Sequence, residues 1–155
     1  MARAANACAP RPRRITLRAP SAGRIAMTLA YACILIAALL PYLWTSIAKG
    51  SAPKYDNRDP RQWLTRQDNP RVQRANAAHL NAFEAFAPFA AAVLMAQLAG
   101  VDPARIGALA AAFVVLRVLH GVAYLSGHAL ARSLVWTGGI ACVVALMVQA
   151  VLAVG

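Results

Sequence analysis

Two short runs of polar residues, set in an otherwise apolar chain, have the spacing to build a ligand site. Arg74, Asn81 and Glu84 are separated by seven and three residues; at about 100° per residue on a helix they fall within an arc of roughly 80°. Arg117, His120 and Tyr124 are spaced by three and four residues and cluster within about 60°. Arg132 and Ser133 follow as a third piece. Guanidinium forks bind carboxylates bidentately, so several Arg with one Glu and one Asn suit a small zwitterionic ligand carrying carboxylates and an ammonium. The same residues also fit a buried ion-pair network that only fixes helix register, because an unpaired ionisable group in a membrane costs several kcal/mol. The residues alone leave both readings open.

The elements that must position these groups are four apolar stretches. Crossing about 30 Å of hydrocarbon takes roughly 20 apolar residues, and residues about 27–48, 75–99, 104–125 and 133–154 meet that test. The expected fold is all-α, an integral membrane four-helix bundle. Composition agrees: of 155 residues 60% are hydrophobic and 14% charged, too few charges to surface a soluble enzyme of this length. The net charge of +11 does not indicate a nucleic-acid module, because the charge lies between the apolar runs. Six of the 16 Lys and Arg fall in residues 1–24 (Arg3, Arg11, Arg13, Arg14, Arg18, Arg24) and seven in 49–74 (Lys49, Lys54, Arg58, Arg61, Arg66, Arg71, Arg74). Residues 1–26 read as a basic extension, disordered or preceding a true start at Met27, and 27–155 as the membrane domain. The basic 49–74 loop then sets the orientation as cytoplasmic, in a bacterial inner membrane.

Helix starts are marked by Asp59-Pro60, Asn69-Pro70 and Asp102-Pro103. Such a side chain caps free backbone amides, and Pro loses no hydrogen bond in the first turn. Gly100 and Gly127 suit the stops. Pro41 predicts a kink in the first span. Tyr31, Tyr42, Trp44 and Trp63 are expected at the membrane interface, and His79, turned away from the Arg74 side, packs or bonds to a neighbouring helix. Cys8, Cys33 and Cys142 have no metal or redox spacing, and no metal site is expected. Cofactor and hydrolase signatures are missing.

Depth brings the two polar faces together. Glu84 lies roughly 15 Å below Arg74, and Arg117 roughly 13 Å below the end of its span near Ser126. The expectation is a Glu84–Arg117 ion pair, with Asn81 and His120 satisfying the remaining donors and acceptors, in a pocket open to the cytoplasm.

These residues resemble the MAPEG proteins (membrane-associated proteins in eicosanoid and glutathione metabolism). Arg74 to Phe89 is similar to the family's R-x4-H-x-N-x-x-E-x3-P-F pattern, Arg117 to Tyr124 to its R-x-x-H-x-x-A-Y, and Arg132-Ser133 to the Arg-Ser opening its fourth helix. The resemblance implies a homotrimer that binds glutathione as cosubstrate between subunits. It implies contacts from Arg74, Asn81, Glu84, Arg117, His120, Tyr124 and Arg132, with Arg132 and Ser133 at the thiol. A nearby guanidinium lowers a thiol pKa from about 8.5 toward neutrality. The implied activity is a glutathione-dependent transferase or peroxidase acting on lipophilic electrophiles or lipid hydroperoxides that arrive from the bilayer. The chain departs from the pattern where glutathione-using members carry a further Arg, here Asn76 and Ala77, and at Trp136, where a Tyr is common. Two other classes remain: a membrane protein that binds or transports a small amphipathic ligand without chemistry, and a purely structural one.

Overall fold

The computed structural model describes residues 21–155; the expectation for the basic extension, apart from its last few residues, and Cys8 lie outside them. Five helices follow one another: α1 (Ala22–Gly50), the short α2 (Pro60–Thr65), α3 (Pro70–Leu98), α4 (Pro103–Ser126) and α5 (Ala129–Val154). Four of them, all but α2, are long and apolar enough to cross a membrane. The fold is an all-helical four-helix bundle, with α1 against α3 and α4, and α5 against α3 and α4.

The helix starts follow from local chemistry. Asp59 accepts from Gln62 N at 3.0 Å, Asn69 from Arg71 N at 2.9 Å and Asp102 from Ala104 N at 3.3 Å, each with Pro at the first helical position. Gly100 and Gly127 close α3 and α4 in the left-handed region, at φ 78° and 77°, where a side chain would be strained. Two helices extend beyond their apolar windows. α1 starts at Ala22 rather than near residue 27, and α5 at Ala129 rather than 133, because the flanking polar residues are compatible with helix even where hydropathy falls.

Small side chains set the packing. Ala30, Ala37, Ala92, Ala96 and Ala110 are buried around Phe89 and Phe113, whose rings stack at 3.9 Å. Gly107 lets α4 approach α1, since a Cβ there would meet Ala26 O at 2.9 Å. Such close approach of small residues is how helices gain contact area in lipid.

Two aromatic expectations are corrected. Trp44 is 4% exposed, its ring lying over Gly121 of α4, where a Cβ would fall 2.1 Å from Cζ2; the missing side chain opens the slot that draws the indole inward. Trp63 is also buried, closing the connection between α1 and α3 with Tyr55 edge-on at 5.0 Å. Tyr31 and Tyr42 are exposed. The His79 expectation of an interhelical bond is met: Nδ1 lies 2.9 Å from both Pro41 O and Thr45 Oγ1. A carbonyl can only accept, so the proton is on Nδ1.

Candidate functional site

α1 ends, α3 begins, α4 ends and α5 begins at one end of the bundle, which also carries the 49–74 loop and is called here the basic end. One helical turn inside it, α3, α4 and α5 enclose a cavity of about 350 Å³ lined by Asn81, His120, Tyr124, Arg132, Ser133, Trp136 and Thr137. Five of the expected site residues are therefore brought together. They come from three helices because His120 and Tyr124 face inward from α4, and the early start of α5 presents Arg132 and Ser133 across from them.

The walls are fixed by specific contacts. The His120 ring, 4% exposed, meets Tyr124 edge to face at 5.0 Å. The Arg132 guanidinium lies 4.7 Å over the Tyr124 ring, a cation–π contact that holds a flexible cation at the mouth. Ser133 Oγ donates to Ala129 O at 3.2 Å and Thr137 Oγ1 to Ser133 O at 3.0 Å. In that arrangement Ser133 presents lone pairs to the cavity, and its hydroxyl must rotate before it can donate.

Arg117 backs this cavity and corrects the expected pairing. It is 5% exposed, and Nη1 donates to Asn81 Oδ1 at 2.9 Å. Glu84 is exposed on the outside of α3. The reason is angular: three residues beyond Asn81 turns Glu84 about 60° round the helix, while the Arg117 guanidinium packs beside Gly139 of α5, whose Cβ position lies 3.5 Å from Nε and Nη2. Among the described residues Nε and Nη2 are buried with no hydrogen-bond partner. Leaving such donors unpaired costs about 1–3 kcal/mol each.

Arg74 is likewise outside the cavity. Its guanidinium packs on the α4–α5 turn, where a Cβ on Gly127 would sit 2.9 Å from Cζ, and a cation there complements the carbonyl end of α4. Gly139, Trp136 and Thr137 enter the site without having been singled out as site residues. The helical register of Arg132 carries the signal for two of them, since Trp136 lies four residues on and Thr137 four beyond Ser133, on the same face.

Neither a curated protein nor a solved structure matches the chain. A family model described as the MAPEG family matches residues 29–152, a stretch that holds nearly all of the four spans and every residue lining the cavity. With four helices able to cross a membrane and a family match over most of its length, the chain is a multi-pass integral membrane protein that belongs to the MAPEG family.

Proposed function

We propose that the chain is a glutathione-dependent transferase or peroxidase acting on lipophilic electrophiles or lipid hydroperoxides, and that it works as a homotrimer. The observation that carries this reading is the cavity in which Asn81, His120, Tyr124, Arg132 and Ser133 meet in front of the buried Arg117. Its donor set fits a tripeptide with two carboxylates. Arg132 can pair with an anion at the mouth, Tyr124 and His120 offer ring hydrogen-bonding groups, and Asn81 is held in one orientation by Arg117.

Glutathione, when bound, supplies a nucleophilic sulfur. The chain's part is to hold that sulfur ionised and aligned. Arg132 stabilises negative charge beside it, and the open lipid-facing flank at Leu134 and Trp136, both exposed, admits an apolar partner while water is thinned out. Arg74 and Glu84 fall outside the cavity of a single chain. In a homotrimer, an adjoining subunit could cover the exposed Glu84, whose charge is costly against lipid. Orientation with the basic loop cytoplasmic follows from the excess of Lys and Arg in 49–74; with it, a bacterial inner membrane is the expected location.

Calorimetry on the detergent-purified protein tests the reading. Glutathione and its thiol-free analogue ophthalmic acid are both expected to bind in the micromolar to low millimolar range. Binding of neither would overturn the glutathione site. The cavity would then belong to a ligand of another kind, a reading that Trp136 favours, because it stands 44% exposed at the mouth with an indole N–H where the family's Tyr would offer a phenol.

A further inference from the structure

The end of the bundle opposite the basic loop, where α3 and α5 finish and α4 begins, holds a small polar cavity of about 260 Å³. Asp102 and Arg105 line it at the start of α4, Gln149, Leu152 and Ala153 near the end of α5, and Val101 in the turn that leads into α4. No residue of α1 or α3 lines it, so it lies away from Glu84 and the α3 face that an adjoining subunit would cover in a homotrimer. Helix register makes it the mouth of an outer groove. Leu116 of α4 packs over Gly138 of α5, where a Cβ would lie 3.1 Å from Leu116 Cδ1. Arg105 precedes Leu116 by eleven residues and Gln149 follows Gly138 by eleven, close to three full turns of each helix and a rise of roughly 16 Å. The seam between α4 and α5 therefore runs from that contact to the cavity. Small side chains floor it, with Ala112 exposed and Ala145 half-buried, and Leu152 stands 75% exposed at the mouth.

The polar groups of the cavity complement a headgroup that carries both signs of charge. Gln149 donates from Nε2 to Ala145 O at 3.2 Å; a carbonyl only accepts, which fixes the amide with Oε1 turned away from it. That oxygen is buried with no donor among the described residues, a costly state at membrane depth. Arg105 is exposed and offers a guanidinium fork to a phosphate. The Asp102 carboxylate, which also caps Ala104 N at 3.3 Å, adds a negative charge to the same wall. A primary ammonium carries three donors and suits Gln149 Oε1 together with Asp102, whereas a quaternary ammonium has none. The volume falls short of the roughly 300–1,000 Å³ of a site that encloses a whole drug-sized molecule. It matches a headgroup whose chain lies outside, in the groove.

We propose that this cavity binds the phosphoethanolamine headgroup of a membrane phospholipid, with the phosphate on Arg105, the ammonium between Gln149 Oε1 and Asp102, and one acyl chain along the α4–α5 groove. The site is independent of glutathione and stands or falls separately from the polar cavity at the basic end. The test is native mass spectrometry of the full chain, delipidated and then offered phosphatidylethanolamine, phosphatidylcholine and phosphatidylglycerol in equal amounts. Retained phosphatidylethanolamine is expected to exceed phosphatidylcholine by about tenfold, the size of one charge-assisted hydrogen bond, and to exceed phosphatidylglycerol as well. Gln149→Leu should bring the ratio of phosphatidylethanolamine to phosphatidylcholine close to one, and Arg105→Gln should lower the retention of all three lipids. Arg24→Gln, which removes the same charge from the same end without lining the cavity, should leave the ratio unchanged. Equal retention of phosphatidylethanolamine and phosphatidylcholine by the unmodified chain, a preference for phosphatidylglycerol, or a ratio that Gln149→Leu does not alter would overturn the proposal. Displacement of the lipid by an equal amount of glycerophosphoethanolamine, which has the headgroup without the chains, would overturn it in favour of a soluble ligand.

Discussion

A methyl group added at Gly121 would lie 2.1 Å from Trp44 Cζ2, whereas one added at Gly139 would meet Arg117 Nε at 3.5 Å, an ordinary contact. Gly121→Ala is therefore expected to destabilise by about 1–3 kcal/mol through forced movement of the indole, and Gly139→Ala to be close to neutral. Thermal unfolding in detergent checks the pair; equal melting temperatures for the two variants would contradict the packing account. Arg132 gives a functional prediction at the same scale. Arg132→Ala should raise the pH at which bound glutathione ionises by about one unit or more, read from thiolate absorbance against pH. An unchanged midpoint would remove Arg132 from the thiol. Five of the site residues were legible in the sequence because helical spacing puts His120 with Tyr124 and Arg132 with Ser133, and Asn81 within reach of α4. The expected Glu84–Arg117 pair failed, because depth and a shared arc do not say which of Asn81 and Glu84 meets the guanidinium; Arg117 bonds to Asn81 and Glu84 turns outward.

Helices α1 and α3 are joined by an unusual polar stitch. Pro41 lacks an amide, so the Ala37 carbonyl has no partner in the normal ladder, and four residues on the chain places Thr45 beside Pro41 O, where His79 Nδ1 reaches both. His79→Phe keeps the edge-to-face volume near Phe83 but removes the donor. The expected loss is about 0.6 kcal/mol, the average for interhelical hydrogen bonds in membranes, and at most about 1.7 kcal/mol. Unfolding in mixed micelles should register it, and an equally stable variant would mean that His79 contributes only packing. Helix order and the starts of α2, α3 and α4 were readable because capping side chains and Pro act locally; α1 and α5, which have no side-chain cap, start earlier than expected. The inward turn of Trp44 and Trp63 was not, since an interfacial aromatic and a buried one have the same sequence neighbourhood until the facing glycine is known.

Across the whole molecule the polar groups are unevenly distributed. Glu84 and Arg74 are exposed on α3, while Arg117 carries two nitrogens inside that have no partner among the described residues. The trimer proposed here predicts a detergent-corrected mass of three chains by light scattering; a monomer that still binds glutathione would separate assembly from ligand binding and refute the shared-site arrangement. Lys54→Cys, at an exposed position of the 49–74 loop, should react with an impermeant maleimide only from the cytoplasmic side. Labelling from outside would invert the topology. The contact between Gly107 and the Ala26 carbonyl also bears on where the functional chain can begin. A polypeptide started at Met27 would lack that carbonyl, and position 107 would lose the 2.9 Å approach that disfavours a side chain there. Tolerance of alanine at 107 thus serves as a gauge of whether the residues ahead of Met27 take part in the folded protein.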